Sequence, residues 1–269
     1  MPTAGTAFRD ELEARARIIK ETFGLPVRED LVSAPLGRLD LGDDAVSRLR
    51  AFNIEWHVIP STLLVPFDAA YLARMYALRS RDFDDAPYEE LSAHQMLRAS
   101  HQQVQGTIVG IETTQKPHYA PQNCQQYYGT RYGLDPTCDP FRGYIEKAGL
   151  KSGPRFLNSR FSHTPGSLRS LGAAINAHWS ERGMIPAGYQ LFVCPPTVFN
   201  LVGRLFHPEW SETPTLELSA YRDQRGNGFG LAVGSNEPGD FSYARRLEPN
   251  PDLGLLGFRI ALVPVHVAA

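Results

Sequence analysis

The stretch TPTLELSAYRDQRGNGFGLAVGS (213–235) decides the fold class of this chain. Apolar and polar residues alternate in TPTLELSAYRD, as in a half-buried strand, and FGLAVGS predicts a second strand. Between them, QRGNG supplies the glycine and asparagine that favour a tight hairpin turn. Its glycine spacing does not indicate a phosphate-binding loop, because such a loop lies between a strand and a helix. The chain is therefore predicted to turn to β-structure after residue 212.

Helices dominate the chain before about residue 110. Periodic apolar residues and N-terminal start signals predict helices over 7–23, 44–52, 67–80 and 88–105. One strand, IEWHVIP (54–60), lies among them.

The centre and the end of the chain contain both patterns. Strands are predicted for GTIVGIETT (106–114), YQLFVC (189–194) and LGFRIALVPV (256–265). Helices are predicted for DPFRGYIEKAGL (139–150), SHTPGSLRSLGAAINAHWSERG (162–183) and PPTVFNLVGRLF (195–206). We expect Asp139 to be an N-cap and Pro140 to be the first helical residue, because both are favoured at those positions.

This order of elements predicts an α+β fold, in which a helical N-terminal layer packs on a mainly antiparallel C-terminal sheet. No linker or low-complexity run divides the chain, so we expect one domain over 1–269. Its parts are a helix-rich region (1–105), a loop-bearing centre (106–150), and a region that is first helical and then β-rich (151–269).

Composition argues against several classes of protein. The 269 residues are 42% hydrophobic and 21% charged, which is ordinary for a soluble globular protein. A net charge of −2 and scattered basic residues give no reason to expect a nucleic-acid partner. We find neither an apolar run of about 20 residues nor a secretory signal, so we expect no membrane association and a cytoplasmic location. The oligomeric state is left open.

The central loop (112–141) is the strongest candidate for function. It contains HYAPQNCQQYYGTRYGLDPTCDPF (118–141), which is long, aperiodic, and too rich in aromatic residues for a disordered segment. Tyrosines and amides together suit a polar small molecule, a sugar, a peptide or a protein partner. The predicted ligand-binding residues are Tyr119, Gln122, Asn123, Gln125, Gln126, Tyr127, Tyr128, Arg131 and Tyr132.

Two other classes of function stay open. One is a thiol- or metal-assisted hydrolase or transferase in which His118 acts with Cys124 or with Cys138, which precedes a predicted helix N-terminus. The other is a structural subunit of a homo-oligomeric assembly. Cys124 and Cys138 are also candidates for a disulfide that closes a loop of about 15 residues. The apolar surroundings of Cys194 indicate an inert buried thiol.

The sequence predicts neither a metal site nor a cofactor. His94 and His101 are too far apart on one predicted helix to share an ion, and His178-x-x-Glu181 is a single arm without a partner. Glu112, at the start of the central loop, is the carboxylate best placed to meet a ligand bound there.

NGFGL (227–231) and LGFRIAL (256–262) resemble pieces of the formylglycine-generating, sulfatase-modifying family. The resemblance covers only these two segments and implies a loop-rich α+β fold, a variant of the C-type lectin, that presents ligands on loops. No position matches the catalytic cysteines of that family, so the resemblance implies no catalytic residue here.

Overall fold

The computed structural model describes residues 4–23, 43–60, 102–114, 139–148, 160, 163, 165–212, 216–222, 228–233, 244–246 and 256–265. The predicted helix over 67–80 and most of that over 88–105 lie outside these residues.

Five α-helices and one 3₁₀-helix are described. The α-helices are α1 (Ala4–Phe23), α2 (Asp43–Arg50), α3 (Arg142–Lys147), α4 (Pro165–Glu181) and α5 (Pro196–Phe206). The 3₁₀-helix, Pro208–Glu212, follows α5 directly. Pro196 starts α5 because its fixed φ suits the first helical turn and its missing N–H is not needed there.

Within the described ranges, eight strands form two four-stranded sheets. The first sheet contains β1 (Ile54–Val58), β2 (Ile108–Glu112), β3 (Tyr189–Val193) and β8 (Ile260–Pro264) in the order β1-β2-β8-β3, and every pairing is antiparallel. The second contains β4 (Leu216–Arg222), β5 (Gly228–Val233), β6 (Ala244–Arg246) and β7 (Leu256–Phe258) in the order β6-β5-β4-β7. The pair β4–β5 is the predicted hairpin, with Arg222 opposite Gly228. The α+β class is confirmed.

The main core lies between the helices and one face of the first sheet. Side chains alternate along a strand, and Ile54, Trp56 and Val58 of β1 join the core that includes Phe8 and Leu12 of α1. Glu55 and His57 consequently lie on the opposite face, where the His57 ring packs 4.8 Å from Phe206 of α5. α5 is buried on nearly all sides and also contacts β4 and β5 of the second sheet.

Two predicted elements differ from the structure. LGFRIALVPV is not one strand: β7 pairs in the second sheet and β8 in the first, and the chain passes between the sheets at Arg259. The helix predicted from Asp139 begins instead at Arg142. The Asp139 carboxylate still accepts the N–H of Phe141 at 2.9 Å, but its remaining bonds go to Arg160, which is distant in sequence.

Candidate functional site

The predicted ligand-binding and catalytic residues lie outside the described part of the chain. They are His118, Tyr119, Gln122, Asn123, Cys124, Gln125, Gln126, Tyr127, Tyr128, Arg131, Tyr132 and Cys138. What the structure describes is the base of the central loop, where the chain leaves β2 at 112–114 and returns at 139.

A buried arginine joins the two ends of the central loop. Arg160 is fully buried; its Nε and Nη2 donate to the two Asp139 carboxylate oxygens at 2.7 Å each, and its Nη1 donates to Glu112 Oε2. The guanidinium lies over the Phe141 ring, 4.8 Å from its centroid. Burial alone would lower the pKa of Arg160, but the charges of Asp139 and Glu112 outweigh burial and raise it well above its ordinary value. We call Glu112, Asp139 and Arg160 the loop clamp.

Arg259 binds the backbone at the same end of β2. Its Nη1 donates to the carbonyl oxygens of Glu112 and Thr114, at 2.7 and 2.8 Å. The pairing of β2 with β8 ends at Ile111, so the guanidinium supplies donors where the strand ladder stops. The charge of Arg259 is neutralised by Glu217, whose carboxylate accepts from Nε and Nη2 at 3.0 and 2.8 Å.

These contacts give Glu112 a structural role. Its side chain is fully buried and its Oε2 is ion-paired with Arg160, so Glu112 fixes the base of the central loop. Its other carboxylate oxygen, Oε1, is buried without a hydrogen-bond partner among the described residues. That this carboxylate serves a loop-bound ligand stays a prediction, because the central loop lies outside the described residues.

Cys194 lies buried at the end of β3, before the start of α5. Burial raises the pKa of its thiol well above the ordinary value and outweighs the opposing charge of Arg259. At neutral pH Cys194 is therefore a thiol and not a nucleophilic thiolate.

A second polar cluster lies on the face of the first sheet that packs against α5. Strand alternation brings Glu55 and His57 to this face. His207, the C-cap residue directly after α5, completes the cluster. His207 Nε2 lies 3.4 Å and His57 Nε2 lies 3.6 Å from the same oxygen, Glu55 Oε2. One potential ligand atom from each of the three residues lies within 4.8 Å of the others.

The surroundings orient this cluster. Glu209 Oε1 lies 2.9 Å from His207 Nδ1, which directs the opposite ring nitrogen towards Glu55. The His207 ring stacks on Trp210 at a centroid distance of 4.9 Å. Arg15 of α1 donates to Glu55 Oε2 at 2.7 Å and also to the carbonyl oxygen of Trp56.

The charge states differ within the cluster. Burial lowers the pKa of His57 to about 4, so its imidazole is neutral at physiological pH. Burial of Glu55 opposes ionisation, but the polar contacts of His207 and His57 and the charge of Arg15 outweigh it and hold the pKa of Glu55 far below the ordinary value. The cluster therefore offers an ionised carboxylate and a neutral imidazole.

Sequence reasoning missed this cluster. Glu55 and His57 are recognisable as alternate residues of one strand, but His207 follows them by some 150 positions. No local spacing connects the three, because the fold alone brings the end of α5 to β1. His178 and Glu181, the arm considered from spacing, lie on α4 and are not part of any such three-residue group in the described ranges.

Comparison with protein-family models, with curated proteins and with solved structures finds no match to this chain. The resemblance to the formylglycine-generating family is therefore not supported by a family match. Among the described residues, no helix has the length and apolar character needed to cross a bilayer.

Proposed function

We propose that this protein recognises a polar partner through the central loop, with Tyr119, Tyr127, Tyr128 and Tyr132 as anchors and the neighbouring amides as hydrogen-bonding groups. The partner is a small molecule, a sugar, a peptide or a protein surface that presents neutral polar groups. The observation that carries the proposal is the loop clamp, which joins the start and the end of this segment through one buried arginine.

The clamp is costly to build for a segment that merely connects two elements. Removing three charges from water carries a large desolvation penalty, which close ion pairs offset only when their geometry is good. In this case each carboxylate accepts from Arg160, and Arg259 binds the adjacent backbone. Such bonding fixes where both ends of the loop leave the body, and binding loops characteristically rest on rigid scaffolds of this kind.

The composition of the loop supports recognition as the role of this scaffold. Tyrosine offers a large contact area with little side-chain entropy to lose, and glutamine and asparagine both donate and accept hydrogen bonds. Arg131 adds a group able to pair with a carboxylate or phosphate of the partner.

The test compares binding by the full chain with binding by a Tyr127→Ala/Tyr128→Ala double variant. Each protein is screened against a glycan array and a displayed random-peptide library, and by thermal shift against a library of polar metabolites. Ile18→Ala, at an exposed apolar residue of α1, is the control for loss of apolar surface elsewhere.

We expect at least one probe class to bind wild type and the Ile18→Ala control and to lose at least about tenfold in affinity in the double variant, about 1.4 kcal/mol. The melting temperature should stay nearly unchanged. Undiminished binding by the double variant, or failure of that variant to fold, would show that the tyrosines only pack the loop against the body.

A further inference from the structure

We propose that Glu55, His57 and His207 form a binding site for a divalent first-row transition-metal ion, with zinc as the best match. Two imidazole nitrogens and one carboxylate oxygen are a ligand set that such ions bind, leaving a further coordination position open. The site is independent of the recognition role of the central loop.

The distances fit one ion. Zinc lies about 2.0–2.2 Å from nitrogen and oxygen ligands, which places neighbouring ligands of a tetrahedral site roughly 3.3–3.6 Å apart. Glu55 Oε2 lies 3.4 Å from His207 Nε2 and 3.6 Å from His57 Nε2. The ligand atoms of the two imidazoles lie within 4.8 Å of each other, so both side chains must rotate towards Glu55 to bind the same ion.

His57 provides the independent observation that points to a ligand. Its side chain is fully buried, and neither ring nitrogen has a hydrogen-bond partner within the described part of the chain. Its contact with Glu55, at 3.6 Å, is longer than a hydrogen bond. A buried imidazole without partners is costly, and a metal ion bound at Nε2 satisfies the nitrogen that lies towards the cluster.

A protonated His207 would be an alternative to the metal ion as the positive charge that joins the cluster. An imidazolium there would bind both Glu55 and Glu209, at 3.4 and 2.9 Å, without any metal. That arrangement, however, leaves His57 unsatisfied. A metal ion gives Glu55 Oε2 and the Nε2 atoms of both histidines one shared partner, and Glu209 then acts as the outer carboxylate that orients a ligating histidine.

Arg15 is compatible with a bound cation. It occupies one side of Glu55 Oε2 at 2.7 Å and is itself neutralised in part by Glu11, whose carboxylate lies 2.8 Å away. A carboxylate oxygen has two lone pairs, so one can accept from Arg15 while the other binds a metal ion. Glu55 also lines a cavity of about 280 Å³ beside α1, α2 and β1. Its side chain is 32% exposed, so an ion can reach the carboxylate from solvent.

The test uses the full chain, cleared of metal with EDTA, dialysed, and titrated with Zn²⁺ by calorimetry and with Co²⁺ by visible absorption. We expect one equivalent of either metal to bind, with Co²⁺ bands of a four- or five-coordinate site and a higher melting temperature. His207→Ala should abolish the Co²⁺ bands and remove high-affinity zinc binding. His178→Ala, outside the cluster, should bind as wild type.

Glu209 is a positioning residue in this proposal, and its variant has a distinct signature. Glu209→Gln should weaken zinc binding by roughly 10- to 100-fold and keep the Co²⁺ bands, because the three ligands stay in place. X-ray absorption of zinc-loaded wild type should show two imidazole ligands, which avoids any variant at buried His57. No zinc uptake by wild type, or equal uptake by His207→Ala, would overturn the proposal.

Discussion

At the scale of single residues, buried arginines determine how the central loop is attached. Arg160 and Arg259 are both fully buried, and both bind the end of β2. Arg259 also lies over Trp210, 3.9 Å from its ring centroid, which adds a cation–π contact. The two guanidiniums thus connect three chain segments around Glu112: the strand itself, the start of the helical region at Asp139, and β4 through Glu217.

Arg160→Met tests the loop clamp directly. We expect a loss of roughly 3–5 kcal/mol in the free energy of unfolding, because the change leaves Glu112 and Asp139 buried without their shared cation. Denaturant unfolding measures the loss, and Arg169→Met, on the exposed face of α4, should change stability by no more than about 0.5 kcal/mol.

A triple variant separates ion pairing from packing. Glu112→Gln, Asp139→Asn and Arg160→Met together remove all three charges and keep similar shapes, so we expect much of the lost stability to return. If the single and triple variants are equally destabilised, the clamp contributes through side-chain packing and not through neutralised charge.

The same residues show where sequence-based prediction succeeds and fails. Asp139 carries the local signature of an N-cap, and its carboxylate does accept a backbone N–H, but the helix starts later. No sequence pattern indicates that Arg160 neutralises it. Pairing between residues distant in sequence depends on how the elements pack, and the alternation and capping rules do not encode that packing.

At the scale of elements, β2 lies between β1 and β8 in the first sheet, and Gly110 allows the three strands to pack closely. A methyl group on Gly110 would lie 3.1 Å from Ile54 Cγ2, 3.3 Å from Trp56 Cε2 and 3.3 Å from Leu262 Cβ. These distances are shorter than ordinary van der Waals contact, and the three neighbours are buried. β2 therefore packs closely against β1 and β8 because residue 110 lacks a side chain.

Gly110→Ala should lower the free energy of unfolding by about 1–3 kcal/mol through overpacking. Gly172→Ala is its matched control: this glycine lies within α4 and a methyl group there meets nothing within 4 Å. Since alanine favours the helix over glycine, we expect the control to raise stability by up to about 1 kcal/mol. Chemical denaturation measures the free energy of unfolding of both variants. A Gly110→Ala variant as stable as wild type would contradict this packing.

Element types were more predictable than their assembly. The β4–β5 hairpin follows from alternation and a glycine-rich turn, which are both local signals. LGFRIALVPV was predicted as one strand because its apolar run is nearly continuous. The structure divides it at Arg259, whose bonds to Glu217, Glu112 and Thr114 fix the crossing between sheets. A buried arginine inside an apolar run is the signal that could have indicated the break.

At the scale of the whole molecule, the described part of the α+β fold contains two polar centres. The loop clamp lies where β2 ends, and the Glu55–His57–His207 cluster lies where β1 meets the end of α5. Both depend on the first sheet, whose strands come from distant parts of the chain. The sequence therefore predicts the α+β class and the strand that carries Glu55 and His57, but neither assembled centre.

The most direct measurement of the central claim is the thermal unfolding of a variant in which residues 118–134 are replaced by a glycine–serine linker of equal length. If the loop is a recognition surface held by the clamp, the melting temperature should fall by no more than about 2–4 °C, because the core and the clamp stay intact. A fall of more than about 10 °C would show that the segment belongs to the core, and it would contradict the account.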